Sequence, residues 1–213
     1  MLVLTYILIA FGAYLLGSVP TGFLVARARG VDIRSVGSQN MGATNVFRVL
    51  GKGPGIFVLL ADVLKGWAAI ALARYMIHSH FADSGGRNET IAPILAGLSA
   101  ILGHIYTYWL QFKGGKGIAT STGVMVALVP VALLICLVTW VVAFVASRYV
   151  SVASIAGAMT LPIATWFTTH DLVLTVVTAL MAALVIYKHK GNVQRLRNGT
   201  ENRLNFKKKD IAA

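Results

Sequence analysis

Residues 118–146 read IATSTGVMVALVPVALLICLVTWVVAFVA, an apolar run too long for one membrane crossing and carrying Pro130 near its middle. A crossing helix needs about 20 apolar residues, and a proline inside a helix removes a backbone donor and clashes with the turn before it. The run therefore predicts two helices, a short one before Pro130 and a fuller one after it. Further apolar segments lie at about residues 2–25, 55–77, 90–110, 152–167 and 172–187. Together they predict an all-α, polytopic membrane protein with about seven transmembrane helices, organised as a single membrane-integral domain over residues 1–213. Were Pro130 only to kink one long tilted helix, the count would be six and both termini would share a side.

Composition points the same way. At 57% hydrophobic, mean hydropathy +0.74 and 12% charged, the chain is too apolar for a soluble domain of its length. It starts Met-Leu-Val-Leu with neither a basic region nor a small-residue cleavage pattern, so the first segment is expected to be a transmembrane helix rather than a signal peptide. Cys136 is the only cysteine and lies in an apolar run, so neither a disulfide nor a Cys-based zinc site is expected. The 19 Lys and Arg against 7 Asp and Glu give a net charge of +12, which suits nucleic acid, an anionic membrane surface or anionic substrates. The apolar spans favour the last two.

The basic residues are unevenly placed, and this sets orientation. Arg27, Arg29, Arg34, Arg48 and Lys52 lie in one loop, Lys113, Lys116 and Arg148 in two others, and the tail from Lys188 to Lys209 adds eight more. Cytoplasmic loops carry the excess of Lys and Arg, so the cytoplasmic segments are expected at about 27–53, 111–117, 147–151 and 188–213. Seven crossings then put the amino terminus outside and the carboxyl terminus in the cytoplasm.

Three polar segments fall on that side. The first, GVDIRSVGSQNMGATNVFRVLGKGPG, is far longer than a connector requires. Ser35, Ser38, Asn40, Thr44 and Asn45 supply neutral hydrogen-bonding groups, Gly37 and Gly42 allow close backbone approach, and Arg48 offers a planar fork suited to phosphate. The second, GHIYTYWLQFKGGKGIATSTG, joins two helices through Gly114-Gly115-Lys116-Gly117. Glycine amides, the positive end of the following helix and the Lys116 charge form a candidate anion nest. It is not a nucleotide-binding P-loop, because Gly117 stands where that motif needs Ser or Thr. His104 sits inside the membrane end of its helix and reads either as a substrate-site residue or as an interhelical hydrogen-bonding group. The third, YKHKGNVQRLRNGTENRL, places His189 and Asn192 on one helical face. Glu201, among Arg195, Arg197 and Arg203, is expected to pair with an arginine and brace the tail. Asp62 and Lys65, one turn apart within a span, read as a structural ion pair.

DIRSVGSQNMGATNVFR, GH followed by FKGGKGIAT, and HKGNVQRLRNGTE together resemble the three signature segments of the bacterial acyl-phosphate:glycerol-3-phosphate acyltransferases, in order and over nearly the whole chain. The resemblance implies transfer of a fatty acyl group from acyl phosphate to the 1-hydroxyl of glycerol 3-phosphate, giving 1-acyl-glycerol 3-phosphate (lysophosphatidic acid) and phosphate, the entry step of phospholipid synthesis. It implies a multi-pass enzyme of the bacterial cytoplasmic (inner) membrane with its active site facing the cytoplasm. The implied partners are the two substrates and membrane lipids, with no nucleic acid, obligate protein partner, metal or organic cofactor. Ser38, Arg48, Lys116, His189 and Asn192 match the family's polar pocket, and Gly114, Gly115 and Gly117 its phosphate-binding segment. Two departures stand out: Gln39 where the family usually has Gly, expected to alter how closely a phosphate approaches, and Tyr106-Thr107 where it has Phe-Pro, expected to lie inside the helix and concern packing.

Two other readings are weaker. His78 and Asp83 fit an H-x-x-x-x-D acyltransferase spacing, but they fall in a short external loop away from the basic segments. A transporter or channel for phosphorylated solutes would also want Arg, Lys and helix-end amides, yet no internal repeat is present and the polar residues gather at one face. The topology is testable by reporter fusions. One placed after Arg203 is expected to report cytoplasm and one near Ser84 the exterior, and a cytoplasmic signal near Ser84 rejects the seven-crossing scheme.

Overall fold

The computed structural model describes residues 1–81 and 87–203. Among these residues every regular element is helical: α1 (Leu2–Ser18), α2 (Thr21–Arg27), α3 (Ala43–Leu50), α4 (Lys52–Phe81), α5 (Arg87–Ile105), α6 (Ile118–Leu128), α7 (Pro130–Ser147), α8 (Val150–Thr169), α9 (Leu172–Lys188) and α10 (Lys190–Arg197). A 3₁₀ turn at Tyr108–Leu110 lies between α5 and α6. The chain forms two compact units, one ending at Leu133 and the other beginning at Leu134.

Five stretches are long and apolar enough to cross a membrane: Leu2–Arg27, Lys52–Ser79, Asn88–Leu110, Pro130–Ser147 and Val150–Thr169. A sixth follows if α9 and α10, bent by 49°, are taken as one. The run around Pro130 does break there, since Val129 leaves helical geometry at φ −143° and α7 opens on the proline. The helix before the break has only 11 residues. At about 1.5 Å per residue it extends ~17 Å, roughly half the hydrocarbon thickness. Length alone therefore gives five or six crossings, not the seven expected.

In the first unit α4 packs on α1, α5 and α6, and α1 on α5. Lipid offers no hydrophobic drive to join helices, so contact relies on small residues that let backbones approach. The core of the α1, α4 and α5 contact is accordingly built from Ala13, Ala69, Ala73, Ala92, Ala96 and Ala100 with Ile9 and Ile77. Gly66 lies against the Thr120 carbonyl and Gly123 against the Val63 carbonyl, where any Cβ would collide. Arg74 Nη2 donates to the Ala127 carbonyl at 2.9 Å, covering the end of α6. With its start beside Gly66 and its end beside Arg74, α6 runs in the same direction as α4.

Pro20 interrupts the first span between α1 and α2. The carbonyls this frees cannot be left bare in an apolar bundle. Thr107 Oγ1 donates to the Ser18 carbonyl, and Lys65 Nζ to the Val19 carbonyl at 2.9 Å. Below the break Ala26, Ile33, Met41, Val46, Val58 and Leu110 form a second buried cluster, which seats the first polar loop and α3 on α4.

In the second unit α8 packs on α9. Asp171 caps α9 by accepting from the Leu174 amide at 3.0 Å. Trp140 Nε1 of α7 donates to Ser154 Oγ of α8 at 3.4 Å. Along α7 the residues Leu134, Val138, Val142 and Val145 are exposed at helical spacing, a stripe suited to lipid.

Candidate functional site

The first polar loop is organised around Asn45. Its Oδ1 accepts from the Ser38 amide at 2.8 Å, and its Nδ2 donates to the carbonyls of Ile33 (3.2 Å) and Val36 (3.0 Å). At 1% exposed, Asn45, which the sequence placed among the substrate-binding residues, shapes the loop from inside. Asn40 Oδ1 accepts from the Gly42 amide at 2.9 Å, and Gly42 caps α3. Ser38, Asn40 and Thr44 thereby gather at the amino end of α3, partly exposed, while Arg48 is exposed in its last turn. Arg34 is committed elsewhere: Nε and Nη2 donate to Asp32 at 3.0 and 2.8 Å, and its guanidinium lies 4.8 Å from the Phe23 ring centre. Those hydrogen bonds hold the Asp32 carboxyl down at about 2.

Gln39 has φ +58°, in the left-handed region that glycine enters freely and other residues at a cost. A glycine at this position would fit that backbone geometry without the cost. Thr107, where the family has Pro, lies past the last residue of α5 rather than inside the helix, and holds φ −66°, the value a proline ring enforces.

The glycine segment begins with two amides turned inward. Gly114 N donates to the Ile105 carbonyl and Gly115 N to the His104 carbonyl, each at 3.0 Å, so both close the end of α5. An anion at this segment is left the amides that follow, at the start of α6. There Gly117, at φ +86°, turns the chain into α6, whose first-turn N–H groups have no helical acceptors. Lys116 is half-buried beside them. His104, 3% exposed, packs its ring against Gly115 and stands behind the segment instead of in front of it.

Behind His104 lies the ion pair. Lys65 Nζ is 2.7 Å from Asp62 Oδ1, the two side chains being 6% and 2% exposed. Thr21 Oγ1 donates to the same oxygen at 3.3 Å, and His104 Nδ1 lies 3.7 Å from it. The pairing of Asp62 with Lys65 was legible from their i, i+3 spacing. The approach of His104 and Thr21 was not, because it joins three helices whose sequence separation carries no signal.

In the second unit His189 ends α9 and starts α10, so the bend sits on it. Its Nδ1 lies 2.7 Å from the Val185 carbonyl. A carbonyl only accepts, so Nδ1 carries the proton and Nε2 is the acceptor of the neutral ring. His189 is 3% exposed, which is not the placement of a snorkelling interfacial residue. One turn on, Asn192 Nδ2 donates to Glu201 Oε1 at 2.6 Å, Ser151 Oγ to the same oxygen at 2.8 Å, and Arg195 Nε to Oε2 at 2.7 Å. Burial alone would raise the Glu201 carboxyl, but the donors Asn192, Ser151 and Arg195 outweigh it and leave it below the usual range. Ser151 is the one member of this set that sequence reasoning passed over; a serine opening an apolar helix gives no warning of its partner.

His78 is exposed in the last turn of α4, and Asp83 lies outside the described residues, as do Lys207, Lys208 and Lys209. Among the described residues no group of three or more His, Cys, Asp and Glu could hold a metal ion.

Comparison with known proteins adds an independent line. Residues 7–199 match the glycerol-3-phosphate acyltransferase family. The chain is 50% identical over 197 residues to the glycerol-3-phosphate acyltransferase of Geobacter metallireducens, covering 92% of this chain and 96% of that one. It is 44% identical over 196 residues to that of Geotalea daltonii, with the same coverage. Crystal structures of PlsY, an integral membrane glycerol 3-phosphate acyltransferase, superpose with TM-scores of 0.84 in the glycerol 3-phosphate form and 0.81 in the lysophosphatidic acid form, at 36% identity over 94% of this chain and 96% and 95% of theirs.

Two outcomes follow from this geometry. Gln39→Gly is expected to stabilise the protein by roughly 0.5–1 kcal/mol, the left-handed penalty of about 1–2 kcal/mol less the extra chain entropy of glycine, while Gln39→Val destabilises it; thermal midpoints in detergent check both. Because the folded Glu201 carboxyl is depressed, its stabilisation is full above the unfolded value near 4.5 and is lost as pH falls through the lower folded value. Glu201→Gln should lower the thermal midpoint at neutral pH and flatten the loss of stability below about pH 4.5 that the unsubstituted protein displays.

Proposed function

The chain belongs to the glycerol-3-phosphate acyltransferase family, an acyltransferase built into the membrane, and from that premise we propose that it uses acyl phosphate as donor. The product is 1-acyl-glycerol 3-phosphate, formed at the cytoplasmic face of the bacterial inner membrane. The observation that carries this reading is the start of α6, where the first-turn amides after Gly117, which lack helical acceptors, and the Lys116 charge make a seat for a phosphate. Both substrates carry a phosphate, and the donor also carries a tail that needs lipid.

In the reaction the acceptor hydroxyl oxygen bonds to the acyl carbon, the bond from that carbon to the phosphate oxygen breaks, and phosphate leaves with the pair. Negative charge that builds on the carbonyl oxygen is stabilised by preorganised donors, for which the α6 amides and Lys116 are the candidates. Arg48, Ser38, Asn40 and Thr44 hold substrate phosphate and hydroxyl groups from the first loop. The hydroxyl proton passes to a substrate phosphate, whose second pKa near 6 leaves it mostly dianionic at neutral pH. His189, its tautomer set by Val185, orients the reacting groups.

The uneven spread of Lys and Arg supports a cytoplasmic face for the polar segments. The parallel run of α6 along α4 supports counting α6, together with the glycine segment, as a crossing. Seven crossings then give an external amino terminus and a cytoplasmic carboxyl terminus.

Purified protein in detergent, given acyl phosphate and glycerol 3-phosphate, is expected to release phosphate and form the acylated product without two compartments. Failure of acyl phosphate where another acyl donor succeeds overturns the donor assignment. Lys116→Ala and Arg48→Ala should each cost roughly 10- to 150-fold in kcat/KM, the equivalent of about 1.5–3 kcal/mol for a charged hydrogen bond to an anion. His189→Ala should slow turnover yet keep a rate inflection near pH 6. Loss of that inflection in His189→Ala alone makes His189 the general base instead.

A further inference from the structure

We propose that Asp62, Lys65 and His104 form one positioning device for the glycine segment, and that Gly115 lacks a side chain to seat the His104 ring rather than to admit substrate. The proposal rests on the reading that this segment holds a substrate phosphate.

A Cβ on Gly115 would run into His104 Nε2 and come within 3.0 Å of both neighbouring ring carbons. The Gly115 amide meanwhile donates back to the His104 carbonyl at 3.0 Å, so backbone and ring grip the same residue. The other edge of the ring, Nδ1, makes no hydrogen bond and faces Asp62 Oδ1 at 3.7 Å. That oxygen is itself fixed by Lys65 at 2.7 Å and Thr21 at 3.3 Å, and Lys65 reaches on to the Val19 carbonyl at 2.9 Å. One unbroken series of contacts thus links the break at Pro20 to Gly115, all within the first unit.

A buried ion pair is a poor source of stability, because removing both charges from water costs several kcal/mol that apolar packing would not. What it supplies is direction. An imidazole with a carboxylate at one edge has a preferred rotation, and a ring held flat against Gly115 sets where Lys116, Gly117 and the first turn of α6 stand. Displacing catalytic groups by about 1 Å can cost on the order of 100-fold in rate. His104 and Asp62 are therefore positioning residues that act through the glycine segment.

The test is a cycle of Gly115→Ala, His104→Ala and the double variant in the full-length protein, read by steady-state kinetics and by thermal midpoint. Gly115→Ala is expected to lower kcat/KM roughly 10- to 100-fold, mainly through KM for a phosphate-bearing substrate. Adding His104→Ala should make the double variant no worse than His104→Ala alone, in rate and in midpoint, since the methyl group then has room. Additive losses in both readouts place the harm on the substrate side of Gly115 and overturn the proposal. A companion pair separates positioning from folding. Asp62→Asn with Lys65→Met removes both charges while keeping shape, and its midpoint should recover while KM stays raised about 10-fold; recovery of KM with the midpoint makes the pair merely structural. If the unsubstituted protein transfers no acyl group, the functional reading fails, whereas the midpoint cycle needs no turnover and still decides the seating of His104.

Discussion

Two backbone carbonyls, those of Ser18 and Val19, are freed inside an apolar bundle because Pro20 ends α1. Nothing in lipid can bond them; the Thr21 amide reaches the Val19 carbonyl at 3.0 Å, and side chains from other helices supply the other bonds. Thr107 takes one and Lys65 the other. A lysine at that depth needs a counter-charge, and Asp62 lies one turn away to supply it. Thr107 stands just past α5, so satisfying the break also pins the end of the helix from which the glycine segment departs. The polar architecture of the first unit thus grows from one proline, and the glycine segment is built against its consequences.

Bulk architecture was readable from the chain. Periodic apolar runs mark the helices, Pro130 marks a true break, and the three polar segments announce themselves by composition. What could not be read depends on contacts between distant residues or on φ. Asn45 looks like one more polar loop residue until its amide is found holding Ile33, Val36 and Ser38 together. Gly114 and Gly115 look like donors for an anion, yet their amides close α5. Gln39 looks like a departure that concerns substrate, whereas its φ of +58° makes it a departure that concerns strain. The span count also resisted reading, because α6 is too short by length and only its parallel course along α4 suggests how the chain still advances.

Glycine serves three different ends here. Gly66 and Gly123 bring α4 and α6 together, Gly115 makes room for a ring, and Gly117 combines a left-handed turn with the start of a helix whose first amides have no helical acceptors. A motif that reads as one unit, Gly-Gly-Lys-Gly, is divided between closing α5, lying against the His104 ring and opening α6.

The acids complete the argument. Among the described residues Asp32 is bound to Arg34, Asp62 to Lys65, Asp171 caps α9 and Glu201 accepts from three donors. Glu89 sits in the first turn of α5, where a negative charge suits the helix end. Each described carboxylate thus has a structural task. A basic surface whose own acids are occupied draws anions toward it. Among the described residues every carboxylate is already engaged, which is why the proposed reading gives the hydroxyl proton to the substrate's own phosphate, with His189 as the other candidate base. Substrate binding and the source of the base are in this way two results of the same allocation of charge.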